Sequence, residues 1–215
     1  MEQQVADDPL AAFAVGRFAQ RFASFLLRLG GWRIEGAVHL PPRFVLIAAP
    51  HTTNWDGFIM VLAAYAFRIR ISWFVKHTWF RWPMSTLMRA SGGFPIDRRK
   101  SHGVVAQVVE RFTRGSEPLI VAVAAEGTRR KMPHWKMGFY HIARGADVPV
   151  VLGYVDYGRK VAGLGPAVRT TGDLEADFRV FREFYEKVTP LRPELMGPII
   201  PPPDAVAGDA PSRPA

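Results

Sequence analysis

From residue 32 onward the chain alternates short apolar runs with stretches of helical period, and this alternation limits its fold more than any other feature. The runs occupy residues 44–49, 71–75, 119–124 and 148–155. Runs of this length and uniformity suit strands buried on both faces. Between them, residues near 56–68, 102–113 and 136–144 have helical spacing, and Val104, Val105, Val108, Val109 and Phe112 share one side of the second stretch. Gly115 and Gly145 are natural stops for the second and third. Strands alternating with helices predict an α/β fold, a mostly parallel sheet flanked by helices. Residues 161–170 add a strand or hairpin. Residues 173–188 read as a last amphipathic helix, capped by Thr171 or Asp173.

Two flanking segments differ from this pattern. Residues 9–29 form one helical stretch, with Asp8 as cap, Pro9 at the first helical position and Gly30–Gly31 as terminator. Its polar residues Arg17, Arg21, Ser24 and Arg28 fall on one narrow stripe, and apart from Gln20 the rest of the cylinder is apolar. Such a helix suits a membrane interface, or the core of the domain with its arginines in water. From Pro190 proline dominates, which predicts an extended, disordered tail. The expected organisation is therefore an interfacial helix over 1–31, a catalytic domain over 32–189 and a tail over 190–215. No apolar run reaches the length of a membrane span. Glu2, Asp7 and Asp8 do not fit the basic start of a cleaved signal peptide.

With 215 residues and 48% apolar side chains, one well-filled core is expected. The chain has no cysteine, which excludes disulfides, thiolate metal ligands and a cysteine nucleophile. A net charge of +9 favours anionic partners: acidic lipid, phosphorylated substrate or nucleic acid.

Three stretches carry chemistry. In FVLIAAPHTTNWDGF a buried strand ends at Pro50, His51 follows in a turn, and Asp56 enters the next helix. On a single helix the two would point about 140° apart. With His51 in the turn, the carboxylate can reach back to the imidazole, fix its tautomer and leave the other nitrogen as a base. The second stretch runs from Ile71 to Lys100. Gly92–Gly93 mark a turn before Asp97, Arg98, Arg99 and Lys100, a cluster able to hold phosphate. Trp73, Phe74, Trp79, Phe80 and Trp82, mixed with Lys76 and Arg81, suit a membrane interface. In the third, LIVAVAAEGTRRK, a buried strand runs into Glu126, Gly127, Thr128 and Arg129, where ligands gather in open α/β sheets. Taken alone, each stretch also fits an ordinary loop.

Taken together and in this order, His51 with Asp56, then GGFPIDR, then EGTR, resemble the glycerolipid acyltransferase superfamily, nearest its bacterial lysophosphatidate acyltransferase type. ADVPVVLGYV resembles the family's valine-proline-valine strand, and WKMGFYHIA its lysine-containing helix. The resemblance spans about residues 40–170. It implies His51 as general base, Asp56 as its orienting partner, and Arg98 and Arg129 as acceptor-binding residues. Glu126, Gly127 and Thr128 would shape the same pocket, and Lys76 and Lys136 would also bind substrate. Ala125 and Gly153 stand where the family often has proline, and one helix replaces a longer N-terminal membrane motif.

The implied reaction moves a fatty acyl group from acyl-CoA or acyl-carrier protein to a lysophospholipid hydroxyl, with 1-acylglycerol-3-phosphate first among acceptors, in phospholipid synthesis. It needs no bound cofactor and no metal: His39, His77, His102, His134 and His141 show no ligand spacing. Backbone N–H groups at the start of the 56–68 helix could take oxyanion charge. No nucleic-acid partner is expected, and the implied place is peripheral or monotopic on the cytoplasmic face of a bacterial inner membrane. Three other readings stand beside this one: the same chemistry on another lipid acceptor, a non-catalytic basic binding protein, and a metal hydrolase.

Overall fold

A computed structural model describes residues 15–36, 40–76, 85–86, 92–96 and 101–208. Among these, one sheet contains β1 Arg33–Gly36, β2 Arg43–Ala48, β3 Ser72–Lys76, β4 Gly93–Ile96, β5 Leu119–Val123, β6 Val150–Asp156 and β7 Val161–Val168. Their order is β1-β7-β6-β2-β5-β3-β4. Neighbours are parallel throughout except β6 with β7. The helices are α1 Arg17–Leu29, α2 Asn54–Ala66, α3 Ser101–Arg114, α4 Gly138–Ala146, α5 Leu174–Tyr185 and α6 Pro203–Gly208, with a 3₁₀ turn at Pro193–Leu195. This is the α/β sheet that the alternating runs predict.

The period of two along β2 shows why its sequence is uniformly apolar. Val45 and Ile47 pack with Val108 and Phe112 of α3, Ile142 and Ala143 of α4, and Phe178 and Phe181 of α5. Phe44 and Leu46 point the other way, into a cluster with Ala64, Ile71, Ile120 and Val151. A neighbouring cluster on α2 seats α1, joining Leu27 to Ile59, Ala63, Ala66, Val155 and Ala162. Both faces of the central strands are thus covered by helices.

The strand order reverses at the centre of the sheet, while β6, β2, β5 and β3 stay parallel. From β2 the chain crosses through α2 to β3, beyond β5. From β5 it crosses through α4 to β6, beyond β2 on the other side. These helices pack on opposite faces, so the loops leaving β2 and β5 diverge and open a crevice at the carboxyl ends of the two strands. Open α/β sheets bind ligands at such a switch point.

Several expectations change. β1 and β4 have no apolar run of strand length behind them; β1 is exposed along all of its four residues and pairs at the sheet edge. Gly92 turns as expected, at φ 84°, but Gly93 already belongs to β4. Gly145 does not stop α4, which runs to Ala146 and ends at Asp147 in the left-handed region with φ 49°. Asp173, not Thr171, caps α5, accepting from the Ala176 N–H at 3.0 Å. The disordered tail expected from Pro190 does not hold over residues 190–208. There Ile199 is buried in the core and the Trp135 N–H donates to the Ile200 carbonyl at 3.0 Å. Residues 209–215, and residues 9–14 of the expected N-terminal helix, lie outside the described residues.

Candidate active site

His51 leaves the end of β2 and lies in the crevice, its side chain 24% exposed. Its ring rests on the first turn of α2, where a Cβ at Gly57 would sit 3.8 Å from His51 Cε1. Thr53, extended at φ −143° and ψ 169°, precedes α2 as its N-cap, which puts Asp56 at the third helical position. That is where a carboxylate can turn back to the N-cap backbone. Asp56 Oδ2 accepts from the N–H groups of Thr52 at 2.6 Å and Thr53 at 2.7 Å. Asp56 Oδ1 accepts from Thr53 Oγ1 at 2.8 Å and from the Tyr157 hydroxyl at 2.7 Å. The side chain is 1% exposed.

The carboxylate therefore reaches back as the spacing suggests, but it hydrogen-bonds the loop. His51 Nδ1 stands 3.8 Å from Asp56 Oδ2, a Coulombic contact beyond hydrogen-bond range. Burial holds the imidazole below its ordinary pKa; Asp56 pulls it up and Arg129 pushes it further down. At neutral pH the ring is thus an uncharged base. The N–H groups of Thr52 and Thr53, just ahead of α2, are engaged by Asp56.

β5 runs beside β2 in parallel register and delivers the second half of the site. Glu126 is buried, 4% exposed, and its Oε2 accepts the backbone N–H of His51 at 2.9 Å. Burial pushes its carboxyl up to about 7, against the pull of that N–H and with the repulsion of Asp56. Gly127 turns at φ 65°. A Cβ there would lie 2.6 Å from Lys136 Cδ, which a flexible lysine can relieve, so it is the positive φ that favours glycine. The Lys136 stem lies across this turn, and its N–H donates to the Ala125 carbonyl at 2.8 Å. Thr128 Oγ1 accepts from the Arg130 N–H at 3.4 Å. Arg129 is exposed and donates through Nη1 to Asn54 Oδ1 at the start of α2. This bond joins the two loops across the crevice.

The structure thus brings together His51, Asp56, Glu126, Gly127, Thr128, Arg129 and Lys136. Lys76 ends β3, one strand beyond β5. Arg98 lies outside the described residues, as do Trp79, Phe80, Arg81 and Trp82. Two residues here have no counterpart in the sequence reading. Asn54 reads as a helix start. Tyr157 follows an apolar run and reads as core; only the strand order, with β6 beside β2, brings it to Asp56.

The exposed surface beside the site is apolar. On α1, Ala23 and Leu27 are buried, while Phe18, Phe22, Phe25 and Leu29 are exposed. At about 100° per residue the exposed four lie between the buried stripe and Arg17, Arg21 and Arg28. Gln20 Nε2 fixes the seat of α1 by donating to the Ala66 carbonyl at 3.1 Å. On α2, close to His51, Trp55 and Phe58 are also exposed and form an edge-to-face pair. Among the described residues no helix is long and apolar enough to cross a membrane.

A family model described as acyltransferase matches residues 32–152, more than half of the chain. The crystal structure of PlsC from Thermotoga maritima, a 1-acyl-sn-glycerophosphate (LPA) acyltransferase, superposes with a TM-score of 0.52. The alignment covers 86% of this chain and 80% of that one at 15% identity, which shows a shared fold. No curated protein matches the chain in sequence.

Proposed function

The chain belongs to the acyltransferase family, and we propose that it moves a fatty acyl group from acyl-CoA or acyl-carrier protein to the hydroxyl of a lysophospholipid, 1-acylglycerol-3-phosphate first among them. The observation that carries this reading is the meeting of His51 and the Glu126–Arg129 turn at the carboxyl ends of adjacent strands.

His51 takes the acceptor's hydroxyl proton as that oxygen attacks the thioester carbonyl. Asp56, 3.8 Å away, stabilises the imidazolium that forms. The C–S bond then breaks. The thiolate leaves readily, because an ordinary thiol has a pKa of about 8.5, and it recovers the proton from His51. No covalent enzyme intermediate is needed, in keeping with a chain that has no cysteine. Arg129 offers a forked donor set to an anionic head group, and its neutral partner Asn54 leaves that charge uncompensated. Arg98, Lys76 and Lys136 are proposed to join it around the substrate.

The exposed Phe18, Phe22, Phe25 and Leu29, flanked by arginines, favour peripheral association with an anionic bilayer. Trp55 and Phe58 would then face the same lipid and bring the acceptor to His51 without leaving the interface. With it we propose the division into an interfacial helix over 1–31 and a catalytic domain over 32–189, and a place on the cytoplasmic face of a bacterial inner membrane.

The test is thiol release by purified protein. Lysophosphatidate, other lysophospholipids and amino-acid lipids are each offered with acyl-CoA and with acyl-carrier protein. Turnover restricted to phosphate-bearing acceptors supports the full reading. Turnover only on an acceptor without phosphate moves the same chemistry to another lipid. Absence of turnover with every pair, from protein that still binds vesicles, sinks the enzyme reading.

A further inference from the structure

The apolar cluster that seats α1 contains one polar group pointed into the proposed catalytic pair. Trp32 follows α1 after Gly30 and Gly31, and its N–H donates to the Leu27 carbonyl at 2.8 Å. Trp32 meets the Tyr157 ring edge-on, with centroids 5.0 Å apart, and both pack on the cluster of Leu27, Ile59 and Ala63. Tyr157 is tied from the other side, where its N–H donates to the Thr189 carbonyl at 2.8 Å. Its ring is therefore clamped, and its hydroxyl has a fixed direction, toward Asp56 Oδ1 at 2.7 Å.

We infer that Tyr157 is a positioning residue for the reaction: its hydroxyl holds the Asp56 carboxylate in place beside His51. The inference rests on the reading that His51 and Asp56 carry the proton transfer. The other donors to Asp56 come from Thr52 and Thr53, within four residues of it. Tyr157 is 101 residues away in sequence and comes from the end of β6. It alone among these donors fixes Asp56 relative to the sheet. Burial and the hydrogen bond to Asp56 hold the phenol protonated far above neutral pH, so it remains a donor throughout the working range.

The charged and titratable groups around the imidazole are Asp56 from α2, and Glu126 and Arg129 from the loop after β5. Around Asp56 they are His51, Glu126 and Tyr157. Removing the hydroxyl leaves all of these charges in place. It takes one donor from the carboxylate, concentrates its negative charge and frees it to turn. His51 should then protonate more easily.

The test compares wild-type protein, Tyr157→Phe and Trp32→Phe in two measurements. The first is NMR titration of the His51 ring, which needs no turnover. The second is steady-state kinetics with the acceptor varied. Tyr157→Phe should move the His51 midpoint to higher pH and lower kcat about tenfold, as expected for losing a hydrogen bond to a charged group, with acceptor KM held. Trp32→Phe thins the same cluster but keeps the hydroxyl, so it should lower Tm with the midpoint unmoved. An unchanged midpoint or an unchanged kcat in Tyr157→Phe overturns the inference. So does a midpoint moved as far by Trp32→Phe, since packing would then be the cause. Failure of the acyltransferase reading would appear separately, as a wild-type protein without turnover whose His51 titration still reports on Tyr157.

Discussion

The segments that follow β2 and β5, the first turn of α2 and the loop after β5, each bury a carboxylate beside His51 to nearly the same depth and hold it in different ways. Asp56, 1% exposed, accepts short hydrogen bonds from two backbone N–H groups and two hydroxyls. Glu126, 4% exposed, accepts the His51 N–H and is pushed up to about 7. Equal burial does not give two acids the same part to play; the donors arranged around each differ. The contrast separates a carboxylate equipped to stabilise an imidazolium from one that mainly anchors the backbone beneath it.

The largest expected effect tests the group that both loops serve. His51→Ala should lower turnover about 10²–10⁴-fold while circular dichroism and Tm stay near wild type, since the ring is partly exposed and rests on one helix turn. A folded variant with near-normal turnover would remove the base from the account. Next, Arg129→Ala should raise acceptor KM roughly ten- to a hundred-fold, for the loss of hydrogen bonds to a charged head group. Donor KM should move much less, and Arg129→Lys should recover only part, keeping charge but losing the fork. Unchanged acceptor kinetics on lysophosphatidate would take the phosphate contact away from the β5 loop.

The Glu126 side of the contrast predicts a pH signature in stability. Its pKa is about 7 in the fold against an ordinary 4.5. Below about 4.5 the carboxyl is protonated in folded and unfolded chains alike and imposes no penalty. As pH rises through 4.5 the unfolded chain ionises first, so stability falls until the folded group ionises near 7. Glu126→Gln keeps an acceptor for the His51 N–H and lacks that penalty. It should be more stable than wild type by about 3 kcal/mol at pH 8, with the gap closing at pH 4, as read by denaturant melts at both pH values. A gap independent of pH would mean that packing, not charge, governs this position.

Much of this was legible in the sequence because period and spacing report local geometry. The uniform apolar runs mark the central strands, and His51 in a turn ahead of the helix that Asp56 enters marks the carboxylate's reach back toward it. Long-range partners were less legible. Tyr157 meets Asp56 through the placing of β6 beside β2, and Arg129 meets Asn54 across two loops 75 residues apart; no local pattern encodes either. β1 was missed because an exposed edge strand needs no apolar run. The proline-rich stretch around Ile199 shows the opposite error: prolines that suggest disorder also suit an extended segment laid on a core.

The sequence of the N-terminal helix suits either an interface or the core, and the structure buries one part of its surface and exposes another. One stripe is buried on α2, and another exposes Phe18, 84% accessible, beside the arginines. The smallest predicted effect lies here. Arg21→Gln should weaken binding to anionic vesicles about fivefold, as one basic residue contributes about 1 kcal/mol at such a surface, and should leave turnover on detergent-dispersed acceptor unchanged. Equal binding to neutral and anionic vesicles by both proteins would remove the arginines from the interface.

The account stands most directly on the two carboxylates having different roles. Turnover of Asp56→Asn and Glu126→Gln, measured side by side at pH 7.5 on one acyl-thioester and lysophosphatidate, tests this. Asp56→Asn removes the charge beside the imidazole and, with its one oxygen serving the Thr52 and Thr53 N–H groups, turns amide protons toward the Thr53 and Tyr157 hydroxyls, so kcat should fall about 10²–10⁴-fold. Glu126→Gln preserves the hydrogen bond to the His51 backbone and should keep kcat within about threefold of wild type, the allowance for a neutral exchange at a group off the proton path. A near-normal Asp56→Asn, or a Glu126→Gln as impaired as Asp56→Asn, would contradict the account.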